Sequence, residues 1–106
     1  MIISKNTTLH DVYDEDITVK ANSTLTFTGI SNKNIFVEDT GTLILEGIIN
    51  GDISISSFAK ASILGIVNAD VINHGSLQIS GIVKHLHDFA DDTKIIPGAC
   101  VNGIQY

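Results

Sequence analysis

The chain has 106 residues, 43% hydrophobic and 17% charged, a balance that suits one packed core and is too apolar for a disordered chain. Twelve Asp and Glu against six basic residues leave a net charge of −6. All the basic residues are Lys, which argues against the clustered basic face that nucleic-acid binding requires and fits an acidic protein meeting a protein partner.

Residues 1–106 are read as one unit, since the length leaves no room for a second core. The lone Cys100 has no internal partner for a disulfide and is read as a small buried hydrophobe. The opening "MIISKNTTLH" lacks an apolar segment of signal-peptide length, and no run reaches the length of a membrane span, so a cytoplasmic location is expected.

Taken in chain order, the sequence repeats. Asp11-Val12 opens a register in which Phe27-Thr28-Gly29-Ile30 is the first full copy, and Leu45–Ile48, Ile63–Ile66, Ile79–Ile82 and Val101–Ile104 follow. From Gly29 the glycines Gly47, Gly65, Gly81 and Gly103 come at intervals of 18, 18, 16 and 22 residues. Aliphatic residues fall into further columns: Leu25, Leu43 and Leu77 before the glycine, Ile30, Ile48, Ile66 and Ile82 just after it, then Ile17, Ile35, Ile53 and Val71. One register held through successive segments is the mark of a coil in which each turn stacks on the last, about 4.8 Å higher.

These columns predict an all-β fold, a single-stranded right-handed parallel β-helix of about five turns with Ile30, Ile48 and Ile66 inside. A left-handed helix needs an apolar residue at every sixth position, and the walk Ile30, Phe36, Thr42, Ile48, Ser54, Lys60 does not supply it; the right-handed rule for parallel crossovers points the same way. The glycines are expected at corners that need either a positive φ or no Cβ. Asn32, Asn50 and Asn68, three residues past successive glycines, are expected to stack as an amide ladder. Residues 84–98, with Lys84 in the ladder position and the only proline, Pro97, read as an irregular capping segment in which Ile95 and Ile96 fold across the last turn.

Chemistry is sparse. His85 and His87 lie near Asp88, Asp91 and Asp92, but neither phase of the strand assembles a third ligand, so no metal site is expected. The outward positions of the middle turns carry Ser54, Ser56, Ser57 and Ser80 in place of paired acids, and no nucleophile motif occurs, so neither a catalytic residue nor a cofactor is assigned. Two acidic groups, Asp14, Glu15 and Asp16 near one end and Asp88, Asp91 and Asp92 near the other, are the candidate partner-binding residues.

The stretches "LILEGIINGDISI", "ASILGIVNADVIN" and "LQISGIV" resemble the bactofilins over about residues 24–83. These are bacterial cytoskeletal proteins built on a right-handed β-helix. The resemblance implies a non-catalytic scaffold that polymerises end to end without nucleotide. Against that family the sequence reads as having fewer turns, an irregular last one and none of the disordered flanking tails expected of it. The alternative reading is a small acidic immunity protein that neutralises a basic bacterial toxin by direct binding; an accessory module within a larger assembly is a third.

Overall fold

The computed structural model describes residues 1–90 and 92–106, and among them the secondary structure is strands alone, with no helix. Consequently no helix there is long and apolar enough to cross a membrane.

The chain winds through about six turns, each contributing one short strand to each of three faces. The first turn is β1 (Ile2–Ile3), β2 (Thr7–Leu9) and β3 (Val12–Tyr13); the second is β4 (Ile17–Val19), β5 (Thr24–Phe27) and β6 (Ile30–Ser31); the third is β7 (Ile35–Val37), β8 (Thr42–Leu45) and β9 (Ile48–Ile49). Then come β10 (Ile53–Ile55), β11 (Lys60–Ile63) and β12 (Ile66–Asn73), which runs around a corner into the fifth turn, followed by β13 (Ser76–Ile79) and β14 (Ile82–Asp88), which does the same into the sixth. β15 (Thr93–Ile95) and β16 (Cys100–Val101) complete that turn, and β17 (Ile104–Gln105) ends the chain. Every pairing between turns is parallel, with Ile17, Ile35, Ile53 and Val71 in one file and Leu25, Leu43, Ala61 and Leu77 in another. The sequence reading of about five turns missed one, because the first turn carries no glycine.

The core is a column of fully buried aliphatic side chains from all three faces, with Phe27 the largest and tilted against Tyr13. On the third face the phase differs from the sequence reading. Ile30, Ile48, Ile66 and Ile82 do lie above one another, but they point outward; the inward file is Ser31, Ile49, Val67, Val83 and Val101.

The glycine column resolves to one physical cause. Gly29, Gly47, Gly65 and Gly81 have no positive φ, yet a Cβ on each of the last three would collide with the carbonyl oxygen of the glycine one turn below, and on Gly29 with that of Asp11. Asp11, at the foot of the column, has no such neighbour beneath it and carries a side chain. Gly103 does not belong to the column. Ile82 pairs with Cys100, which puts Ala99 above Gly81, while Asn102 (φ 54°) and Gly103 (φ 77°) form the two-residue turn of an antiparallel hairpin between β16 and β17.

The segment 84–98 is more regular than expected. Residues 85–88 pair in parallel with 70–73, and Ile95 pairs with Ile79 in register instead of crossing the end. The local departures are the corner at Lys84, one residue shorter than the Asn68-Ala69 corner below it, the corner after Asp88, and the turn Ile96-Pro97-Gly98-Ala99, closed by the Ala99 N–H donating to Ile96 O and using Gly98 at φ 102°. The cap itself is β17.

Candidate interaction surfaces

Two files of polar side chains run along the corner between the third face and the first. In one, Asn32 Nδ2 donates to Asp14 Oδ1 (2.7 Å), Asn50 Nδ2 to Asn32 Oδ1 (2.9 Å) and Asn68 Nδ2 to Asn50 Oδ1 (2.8 Å). This is the expected ladder, with Asp14 as its base. The second file was not foreseen: the backbone N–H groups of Asn34, Asp52 and Asp70 donate to the side-chain oxygens of Asp16, Asn34 and Asp52, each one turn below. An Asx side chain at this corner satisfies a backbone donor that the corner takes out of the strand ladder.

These bonds define what the candidate acidic residues do. Asp14 and Asp16 anchor the two files, and Glu15 pairs with the terminal amine at 2.9 Å. Asp88 Oδ1 accepts from Asn73 Nδ2 (3.2 Å) and from the Ala90 N–H (3.2 Å), while the Asp92 carbonyl accepts from the Leu77 N–H. Asp91 lies outside the described residues. Asp14, Glu15 and Asp16 lie at the first turn and Asp88 and Asp92 in the last, so these described residues do not converge on one surface; Asp14, Asp16 and Asp88 each hold part of the fold. Asn73, fully buried, ties the end of its strand by donating also to Thr93 Oγ1 (3.0 Å) and accepting from the Gly75 N–H (3.0 Å).

His85 and His87 both face outward, because Leu86 packs against the core. His87 Nε2 lies 3.7 Å from Asp70 Oδ2. Among the described residues no three His, Cys, Asp or Glu are grouped to hold a metal ion.

The ends of the solenoid differ. β1, β2 and β3 each pair with one strand only, in the second turn, so their other edges carry unpartnered backbone groups. Leu9 O accepts from the Thr28 N–H, and since alternate residues of a parallel strand point opposite ways, the Thr8 N–H and C=O face the open edge. Ile2 is 60% exposed beside it. At the other end β17 covers β16, and the Leu86 N–H donates to Asn102 Oδ1 at 2.7 Å, while β15 and residues 85–88 of β14 have no strand above them.

On the third face the outward file of Val12, Ile30, Ile48, Ile66 and Ile82 forms an aliphatic ridge along the solenoid, 61% exposed at Val12 and 46% at Ile82. Beside it, over the first three turns, lies a recess of about 520 Å³ floored by Gly29 and Gly47, with His10, Thr28 and Glu46 on its far bank.

The corner between the first and second faces holds a backbone outlier. Asn22, Thr40 and Phe58 occupy one column at φ 58°, 63° and 63°, the third position of successive four-residue turns. Asn tolerates this left-handed conformation, whereas for Phe it is strained, and Phe58 is 81% exposed. Phe58→Asn is therefore expected to stabilise the protein by about 1 kcal/mol, raising the melting temperature by about 4–8 °C in a thermal scan. Above Phe58 the fifth turn is two residues shorter, and the resulting notch is flanked by His74 stacked on Phe89 with centroids 4.9 Å apart. Gly75 is required there, since a Cβ would meet the carbonyls of Ser56 and Ala59.

Comparison with protein-family models, with curated proteins and with solved structures gives no match to this chain.

Proposed function

We propose that the chain is a non-catalytic, protein-binding solenoid that associates with copies of itself through the strand edges of its first turn, as a bactofilin-like scaffold of the cytoplasm. The observation that carries this reading is the open edge of β1, β2 and β3, with Ile2 exposed along it. A row of unpaired backbone donors and acceptors is a template for a further strand, and edges meant to stay single are usually blunted by proline, inward charge or a bulge. None of β1, β2 and β3 contains proline or a charged residue. The repeat-level resemblance to bactofilins agrees with this reading. The acidic-inhibitor reading has less behind it, since Asp14 and Asp16 lie at one end of the molecule and Asp88 at the other, and the carboxylates of all three are bonded within it.

Thr8→Pro tests the proposal, because it removes one N–H aimed at the open edge without touching a bond to β5. Sedimentation of the wild type is expected to show concentration-dependent assembly, and Thr8→Pro to weaken it at least tenfold while circular dichroism stays that of the wild type. A wild type that stays monomeric, or assembly indifferent to Thr8→Pro, overturns it.

A further inference from the structure

We infer that the third face is a second, lateral interface, through which two copies pack side by side with their axes parallel. The ridge runs through Val12, Ile30, Ile48, Ile66 and Ile82, and over the first three turns it stands beside a recess floored by Gly29 and Gly47, so in this part the face is its own complement. A two-fold axis parallel to the solenoid exchanges left and right and places the ridge of each copy in the recess of the other. An axis perpendicular to the solenoid leaves left and right unchanged, sets ridge against ridge, and stacks them with no interlock.

The flanking polar columns favour the same choice. Glu46 stands on the bank beyond the recess and Asn50 on the bank beyond the ridge, both in the third turn. In the parallel arrangement each Glu46 carboxylate meets the Asn50 amide of the second copy. Asn50 gives one Nδ2 hydrogen to Asn32, and an amide nitrogen has two, so a donor remains. His10 likewise meets Asp14 of the second copy. In the antiparallel arrangement centred on the third turn, Glu46 would face its own counterpart, a like-charge contact.

The face is a strip of about 24 Å by about 13 Å on strand spacings, well under the roughly 800 Å² per partner of a standard interface, so the contact is expected to be weak and reversible. This contact uses no strand edge and does not depend on association through the first turn.

Cys100 supplies the test. It pairs with Ile82 and continues the ridge into the sixth turn, half-buried and free. In the parallel dimer the two Cys100 side chains lie at the same level beside the two-fold axis; in the antiparallel one they lie at opposite ends. The experiment uses the Thr8→Pro chain, so that first-turn association does not contribute. Diamide takes two hydrogens from two thiols and leaves a disulfide. At about 100 μM protein it is expected to give a Cys100–Cys100 dimer, reduced at least tenfold in Ile48→Lys and in Ile82→Lys, two outward substitutions whose folding is checked by circular dichroism. Sedimentation without oxidant is expected to show the same ranking. A dimer lost in both Lys variants but never cross-linked overturns the parallel arrangement. A chain monomeric to about 1 mM, or a cross-link unaffected by either folded variant, overturns the interface altogether.

Discussion

Gly47→Ala is expected to lower the melting temperature by more than 10 °C, although it adds a single methyl group at a position with an ordinary φ. The obstacle is the carbonyl oxygen of Gly29 one turn below, which is backbone and itself pinned by accepting the Ile48 N–H at 3.0 Å. A flexible side chain in that place would swing aside. Here the only relief is to lift one turn off the next, which breaks the hydrogen bonds on both sides of the corner. Overpacking of this kind costs about 3 kcal/mol, and each kcal/mol is worth about 4–8 °C in a domain of this size. Asp11→Ala, at the foot of the same column, is the control. It is expected to melt within a few degrees of the wild type, and equal losses in both variants would remove the stacking argument.

The second large effect comes from two neighbouring isoleucines. Ile49→Lys is expected to abolish cooperative unfolding, because Ile49 is fully buried and an unpaired charge there costs about 4 kcal/mol or more, against a total stability of roughly 5–15 kcal/mol. Ile48→Lys is expected to cost less than about 1 kcal/mol, since Ile48 points outward and a lysine stem can lie along the ridge with its amine in water. Urea titrations of the pair separate the two outcomes. If Ile48→Lys unfolds the protein and Ile49→Lys does not, the phase of the third face is reversed.

That pair also marks where sequence reading reached its limit. The files through Ile17, Ile35 and Ile53 and through Leu25 and Leu43 were legible because strands of three or four residues alternate, and alternation fixes which side faces in. The third face has strands of two residues, and both are aliphatic at Ile48-Ile49 and Ile66-Val67, so the pattern gives the column but not its phase. At Ile30-Ser31 the sequence misdirects outright, since the serine is the buried one, its hydroxyl donating to Lys33 O at 3.2 Å. Gly103 was drawn into the repeat by its Ile neighbour, whereas the Asn102-Gly103 dipeptide is itself a hairpin signal.

Of the candidate surfaces, the asparagine ladder was visible because identical residues recur at one spacing. The Asx file was hidden by its mixed composition, Asp16, Asn34, Asp52 and Asp70, although its spacing of 18 residues is the same and equally readable. The acidic clusters were legible as charge. Their roles as bond acceptors depend on which backbone N–H the corner leaves over, and that is set only once the turns are stacked.

The hairpin at the C-terminus bears on how the molecule comes apart. Contacts run almost wholly between successive turns, so opening propagates along the axis like a zip, with each turn released only after its neighbour. β17 clamps one end through Tyr106 and Gln105, which bond back to Ala99 and Gly98, while the first turn is held from one side only. Fraying therefore starts at the first turn, and amide protons are expected to exchange fastest there and more slowly toward the middle of the stack.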